Sequence, residues 1–465
     1  MVTFFDIINR PIFYSLSLFL LFLPSISSLN NGAAIVSPRG YTTWQYFNFN
    51  VSDSGLRYLA DSMVQLGLVS AGYDILWLDD GWPACLNYSG ISGISSCSIP
   101  SPREANGSIS VDMTKFPYGI KATFDYIHSR GIKVGIYTAP HYQTCGGYTG
   151  SLHFESIDAI QFAAWGVDAV KLDAGCRDDC SLHDGCLLSS LTRMRDGLNA
   201  TGRIILYYID DGNPTSGPRV YNPFSRGYTN STFYTTHIAR QWTEEVVSWG
   251  PQIANMYKLW FDREDKWHSL LDNVHIQIGF TWFQASGQFL APDQMTIGQG
   301  RMSLGQYRVE VYLYTILSSP AFLSCDPKIL STNSSLLSLI TNPELREIHQ
   351  DTDCIMATKI SSESLWLGGL DSIDRWAVDI YVKPMSDNSW VFLAINRDPL
   401  FSHIVTFSWG DNNSDGGSAD TYPANLHQAK VRDVGNRIDL GTYTQGITNI
   451  SVDSLDGVIY RIYPF

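Results

Sequence analysis

The feature that most restricts the fold is a repeated alternation. A short apolar run rich in β-branched or aromatic residues ends in a polar residue, and a stretch with helical spacing follows. Runs of the first kind occupy 40–47, 73–78, 133–137, the stretch ending at Asp173, 204–208, 256–260, 279–283 and the segment around 292–295. Helical periods fall at 54–66, with Leu56, Leu59, Met63 and Leu66 on one face, and at 117–130, 156–165, 187–198 and 238–249. Two more, 307–317 and 335–350, complete the series. Eight β/α units over about 300 residues are the arithmetic of a (β/α)8 TIM barrel. A doubly wound open sheet competes, but no G-x-G-x-x-G follows the first strand.

Past Cys354 the helical period disappears. Alternating β runs at 376–382 and 390–395 are separated by turns rich in Gly, Asn and Asp, as at 410–417, which predicts a C-terminal antiparallel β-sandwich. At the other end, Arg10 precedes an apolar run over 12–23 and the small residues Ser25, Ser27 and Ser28, the pattern of a cleavable signal peptide. The expected layout is therefore a signal peptide at 1–28, a barrel at 33–352 and a sandwich at 353–465.

Charged residues make up 16 % of the 465 and the net charge is −14, with no basic run. Nucleic acid and anionic membrane are poor partners for such a chain, whereas a neutral substrate is compatible. After signal cleavage no long apolar segment is left to cross a bilayer. Eight cysteines and eight N-x-S/T sequons, at Asn50, Asn87, Asn106, Asn199, Asn230, Asn333, Asn412 and Asn449, agree with an oxidising secretory route and a secreted or lumenal protein. Cys85 and Cys97 lie in one long loop and suggest a local disulfide. The cluster Cys176, Cys180, Cys186 has two readings, zinc ligands or disulfides, and the secretory setting favours the second.

Chemistry is concentrated at the strand ends. In residues 165–176, WGVDAVKLDAGC, Lys171 and Asp173 stand two apart, so both point to one side of a strand that opens into a Gly/Cys loop. A Lys beside an Asp keeps the carboxylate ionised, as a nucleophile must be, although a structural ion pair would have the same spacing. The other strand ends decide between these readings. Asp79 and Asp80 follow the second run, Cys145 the third, Asp210 the fifth, Lys258 and Asp262 the sixth, and Asp293 stands at the eighth. Barrel enzymes keep their sites there. Several carboxylates without a metal-binding His pair suit a neutral, hydroxyl-rich substrate, and neither metal nor cofactor is implied.

The same segments resemble glycoside hydrolase family 27, the α-galactosidase (melibiase) family. The matching motifs are Gly72-Tyr73 leading to LDDGW at 78–82, FPYGIK at 116–121, GIKVGIY at 131–137, TCGGYTGS at 144–151, AWGVD at 164–168, KLD at 171–173, Asp262-x2-Asp265-x-Trp267-x-Ser269, and Pro292-Asp293. The resemblance implies a retaining glycosidase in which Asp173 is the nucleophile and Asp262, located by the residues spaced after it, the acid/base. Such a pair works about 5–5.5 Å apart. It further implies that Asp79 and Asp80 bind the O4 and O6 side of galactose and that Lys171 reaches O3 and O4. Asp210 and Lys258 then reach O2 and O3, Trp44 and Trp82 form apolar walls, and Cys145 pairs with Cys176. Asp293 and Cys145 complete the expected substrate-binding set. Galactose-containing oligosaccharides or glycoconjugates would be the partners, with the oligomeric state left open.

The chain departs from the family pattern in several places. Gly81 replaces a Cys, one extra residue separates Asp173 from Cys176, and Lys258 replaces an Arg. YYIDDG at 207–212 stands where a Cys-Glu-Trp run is usual, so Asp210 or Asp211 could be the inward carboxylate. A β-L-arabinopyranosidase, an α-N-acetylgalactosaminidase and a catalytically silent carbohydrate-binding homologue are the alternative functions.

Overall fold

The structure, a computed structural model, describes residues 29–85, 103–175, 179–180, 185–210, 246, 248–364, 377–409 and 426–465. The expected signal segment, Cys97, Cys176, Asp211 and nearly all of the helix expected at 238–249 lie outside the described residues.

Eight parallel strands form one sheet in chain order: β1 (Arg39–Thr42), β2 (Ile75–Leu78), β3 (Lys133–Thr138), β4 (Ala169–Asp173), β5 (Leu206–Asp210), β6 (Met256–Lys258), β7 (Phe289–Ala291) and β8 (Ala321–Leu323). β8 pairs with β1, and the Met295 N–H donates to the Phe322 carbonyl (2.8 Å) across the gap left between β7 and β8. The outer layer holds α1 (Asp53–Gln65), α2 (Ile120–Ser129), α3 (Glu155–Ala164), α4 (Cys186–Ala200), α5 (Trp267–Ile278) and α6 (Leu304–Ile316). Three short helices follow, α7 (Pro327–Thr332), α8 (Ser334–Ile340) and α9 (Pro343–His349). Local chemistry sets their starts. Ser52 Oγ accepts from the Gly55 N–H (3.2 Å), Ser303 and Gln306 form a reciprocal capping box on α6, and Asn342 caps α9 with Pro343 in its first turn.

Three expectations are corrected. Residues 279–283 are the end of α5 and a 3-10 turn, Thr281–Phe283, while the segment at 292–295 is the loop leaving β7. The true seventh and eighth strands, FLA and AFL, have three residues each, too few to show any period, whereas the aromatic run Phe280, Trp282, Phe283 carries high β-propensity in a place where the helix has just ended. Residues Trp44–Phe47, read as the end of the first strand, form a helical turn. The helix expected over 335–350 is divided, because Pro343 cannot continue α8.

Strand alternation sends two sets of residues in opposite directions. Ala169, Leu206, Tyr208, Met256, Phe289, Trp77 and Phe322 pack inside the barrel, whereas Val134, Ile136, Val170, Leu172, Tyr207, Ile209 and Tyr257 pack outward under the helices. The lumen is narrow. The Trp77 ring meets Tyr208 and Phe322 edge-on at centroid distances of 5.8 and 5.6 Å. A Cβ on Gly135 would lie 2.5 Å from the Trp77 indole, so that glycine is what lets the indole fill the barrel floor.

After α9 the chain is antiparallel. A six-stranded sheet, β9 (Thr358–Ser364), β10 (Ala377–Pro384), β11 (Trp390–Asn396), β13 (Gln428–Asp433), β14 (Ile438–Thr444) and β16 (Gly457–Pro464), faces a pair formed by β12 (His403–Ser408) and β15 (Gly446–Val452). Phe392, Ala394, Val405, Phe407, Trp409 and Ile450 fill the space between them. The opposite face of the large sheet, with Tyr381, Leu393, Ile395 and Ile459, joins the barrel core, which is why α6 is buried almost all round. Among the described residues no helix is long and apolar enough to cross a membrane.

Candidate active site

The carboxyl ends of β4, β5, β6 and β7 lie in register: Asp173 is opposite Asp210, Asp210 opposite Lys258, and Lys258 opposite Ala291. One step deeper, Tyr137, Lys171 and Tyr208 form a second row. The cavity at this end is lined by Thr42, Trp77, Asp79, Lys171, Tyr208, Ala291, Asp293, Gln294 and Phe322. Its floor is the aromatic plug of the lumen and its walls are polar. Asp173 stands two residues beyond Lys171 on the same strand face, one pleat closer to the opening.

The charges form a chain of contacts. Lys171 Nζ reaches Asp79 Oδ2 (3.3 Å) and Asp210 Oδ2 (2.9 Å). Lys258 Nζ reaches Asp210 Oδ1 (3.1 Å), Asp293 Oδ2 (3.5 Å) and, in a close ion pair, Asp262. Asp210 thus lies between two ammonium groups. Burial pushes its carboxyl up, but Lys171 and Lys258 together pull it below the ordinary Asp value. Burial alone would discharge the two lysines; the surrounding carboxylates, Asp210 first, hold both well above the ordinary Lys value.

Asp173 has different partners from those expected. Lys171 is bonded to Asp79 and Asp210, not to Asp173. The Asp173 carboxylate instead accepts from the Tyr137 hydroxyl (2.9 Å) at Oδ2 and from the Gly175 N–H (3.0 Å) at Oδ1. Its pKa is raised, through burial first and the negative charge of Asp210 second, with Lys171 and Lys258 working against both. Cys145 is in a disulfide, and its Sγ lies 3.3 Å from Asp173 Oδ2. A disulfide sulfur has no proton to give, so this is a packing contact. The expected partner, Cys176, is outside the described residues. Cys180 and Cys186 form a disulfide, which answers the zinc alternative for that pair.

Asp262 lies in the loop after β6 with its side chain 74 % exposed. Asp293, expected on a strand, is in the loop after β7 at φ 72°, with Oδ2 accepting from the Arg263 N–H (2.8 Å). Burial raises its carboxyl, with Lys258 opposing.

The adjacent acids Asp79 and Asp80 separate by alternation. Asp79 follows the inward parity of Ile75 and Trp77 and lines the cavity. Asp80 takes the outward parity and is buried. It accepts from the Gly81 N–H (2.7 Å) and the Gly146 N–H (2.8 Å), tying the loop after β2 to the loop after β3. Its pKa is pushed up to about 6, by burial first, and by Asp79 against the two backbone bonds. Trp82 is no wall of the site. It is fully buried between β3 and the helices, donates its indole N–H to the Tyr137 carbonyl (2.8 Å) and packs edge-on against Phe162 and Trp165. Trp44, half-buried in the turn after β1, has its ring edge-on to Phe49 at 5.2 Å.

Tyr137, Tyr208, Gln294 and Thr42 were not singled out from the sequence. Tyr137 was within reach, because it ends a strand on the face that looks across to Lys171. Gln294 was not, because a loop after a three-residue strand has no period to show which way its uncharged side chains point. Among the described residues no group of His, Cys, Asp and Glu is arranged to hold a metal ion.

A family model described as alpha galactosidase A, Melibiase_2, matches residues 47–351. A Dictyostelium discoideum relative named Probable alpha-galactosidase is 29 % identical over 437 residues, covering 94 % of each chain. The crystal structure of alpha-galactosidase I from Mortierella vinacea superposes with a TM-score of 0.70 at 25 % identity, over 93 % of this chain and 98 % of that one. The Saccharomyces cerevisiae α-galactosidase solved with raffinose superposes at 0.75 and 18 % identity, over 94 % and 100 %. A TIM barrel with this charged mouth and these relatives is a glycoside hydrolase. Within that class the chain belongs to the α-galactosidase (melibiase) family, glycoside hydrolase family 27.

Proposed function

We propose that the protein is a retaining exo-glycosidase that hydrolyses terminal α-D-galactosides, with Asp173 as nucleophile and Asp262 as acid/base. The observation that carries this reading is the seat of Asp173: a carboxylate at the mouth end of β4, fixed by the Tyr137 hydroxyl and the Gly175 N–H, beside a polar cavity and in strand register with Asp210, which Lys258 joins to Asp262.

In the first half-reaction an Asp173 oxygen bonds to the anomeric carbon as the glycosidic C–O bond breaks, and the leaving oxygen takes a proton from Asp262. In the second, the Asp262 carboxylate takes a proton from water, whose oxygen displaces Asp173 and restores its carboxylate. Asp173 must be charged to attack, so the burial and the Asp210 charge that raise its pKa delay its ionisation. Tyr137, whose hydroxyl bonds the charged form, acts the other way. Asp262 gives its proton in the first step and takes one back in the second, and its exposed place on the loop leaves it open to both leaving group and water.

Asp79, Lys171, Asp210, Lys258 and Asp293 supply the charged hydrogen-bond partners for the sugar hydroxyls. A substrate lacking one of those hydroxyls leaves a buried charge unpaired, which makes such a set selective. Asp79, directed into the cavity, supports galactose over the pentose alternative, and Asp210, an acidic residue held between two lysines, supports a 2-hydroxyl over an acetamido group. The raffinose complex of the yeast relative supports an oligosaccharide substrate. Delivery through the secretory pathway is supported by the Cys180–Cys186 disulfide and by the exposed sequon asparagines Asn50, Asn106, Asn199, Asn333 and Asn449.

The test is hydrolysis of p-nitrophenyl α-D-galactoside, β-L-arabinopyranoside and α-N-acetylgalactosaminide, with NMR of the first-formed anomer and the Asp173→Asn variant alongside. Turnover of the galactoside with retention, lost in the variant, is the expected outcome. Inverted product, or full turnover by Asp173→Asn, overturns the assignment. Sugar binding without turnover of any substrate returns the reading to a silent homologue.

A further inference from the structure

Residues 262–265 alternate in burial: Asp262 and Glu264 are exposed, and Arg263 and Asp265 are buried. Asp265 accepts from the Arg301 N–H (2.6 Å) and the Tyr307 hydroxyl (3.0 Å). The Arg263 side chain, fully buried, donates from Nη2 to Glu310 Oε1 (2.7 Å) and Thr296 Oγ1 (3.1 Å), and from Nη1 to the Glu264 carbonyl (3.3 Å). Glu310, on α6 and equally buried, also accepts from the Thr296 N–H (2.9 Å). The Arg263 N–H holds Asp293, whose carbonyl accepts from the Tyr314 hydroxyl (3.2 Å). Among the described residues Lys258 is the one side chain paired with the Asp262 carboxylate itself, and it is shared with Asp210 and Asp293.

A buried ion pair gives little net stability, because desolvation offsets the attraction, but it fixes geometry where its hydrogen bonds are directional. This pair sits one residue from an exposed carboxylate on a loop, where a strand cannot fix the backbone. We propose that the buried Arg263–Glu310 pair, with Thr296, is the positioning device of the acid/base: it sets where the loop holds Asp262 relative to the glycosidic oxygen. The inference rests on the reading of Asp262 as acid/base and adds residues outside the sugar's reach.

The test uses kcat/KM, which reports the steps up to glycosylation, on α-galactosides with leaving groups of different basicity. A dinitrophenolate departs without a proton, whereas an alkoxide or sugar needs one. In Glu310→Gln, kcat/KM on methyl α-galactoside or raffinose should fall about 10- to 100-fold, and on the dinitrophenyl galactoside by no more than about threefold, since a displaced acid costs only the step that needs it. Thr296→Val, which removes one Arg263 bond and keeps the ion pair, should give the same pattern at smaller size and serves if Glu310→Gln does not fold. Equal losses on both leaving-group classes, or no loss on either in a folded variant, would overturn the positioning role. The Asp262→Asn variant separates the two readings: if it too keeps full activity on methyl α-galactoside, the acid/base assignment has failed, not the positioning device alone.

Discussion

The end of β4 and the loop after β6 hold the two proposed catalytic carboxylates in opposite ways. Asp173 is the last residue of a barrel strand and is fixed through both oxygens by Tyr137 and Gly175. Asp262 is exposed, with Lys258 as its ion-pair partner, and its place is set by the anchored residues on its C-terminal side. The difference suits the two tasks. A nucleophile must meet one carbon along one line, whereas an acid/base must exchange its proton with a leaving group and then with water, and so needs solvent access.

That contrast can be broken or sharpened by substitution. The largest effect is expected from Asp173→Asn, which leaves the mouth in shape and removes the nucleophile; galactoside turnover should fall on the order of 10^4-fold or more. Asp262→Asn should lower kcat/KM by about 10^2- to 10^4-fold for alkyl galactosides, with azide restoring turnover of activated aryl galactosides because the second step then needs no base. Similar losses across all leaving groups would erase the functional difference between the two seats.

Two further variants address the charge of Asp173. In Asp210→Asn a negative neighbour is lost and two lysines are freed to act on Asp173, so its pKa falls and the acid limb of the kcat/KM profile moves to lower pH. Its absolute value should drop by about 100-fold, because two buried ammonium groups lose their shared partner. Tyr137→Phe removes a donor to the charged form and should move the same limb to higher pH, with a loss of about tenfold. Movement of both limbs in one direction would show that Asp173 does not set the limb. The smallest effect on activity is expected from Trp82→Ala, where the sugar contacts are untouched but stability falls by about 3–5 kcal/mol in chemical denaturation. A large rise in KM without lost stability would restore Trp82 to the sugar-binding wall.

The legibility of this chain follows the length of its elements together with the apolar run around them: β6, with three residues, is still marked by the run 256–260. β3, β4 and β5, of five or six residues, and helices of ten or more were readable because a period needs that length to show. β7 and β8 have three residues, and their bonds come from neighbouring strands rather than from their own composition. The barrel count therefore came out at eight with two segments misplaced. In the site, the charged residues at and just beyond strand ends were readable, Asp262 through the residues spaced after it, whereas the uncharged Tyr137, Tyr208 and Gln294 were not singled out. Asp293 was named but placed on the wrong element, and Gln294 beside it was missed. Trp82 was misread because its sequence neighbour Asp80 suggested a site, when the parity after Asp79 turns the chain outward.

By itself the sequence determined the alternation of strands and helices, the β-rich C-terminal region and the repeated appearance of charge where strands end, because these follow from side-chain periodicity and backbone preference within a few residues. Tertiary structure alone decided which charge meets which. Lys171 is two residues from Asp173 in the chain, yet it bonds Asp79 and Asp210 on neighbouring elements. Arg263 finds Glu310 on a helix 47 residues away. Pairing across a closed barrel depends on register and on which strand lies beside which, and desolvation then makes each pairing strong enough to set the charge state. No local property of the chain encodes either.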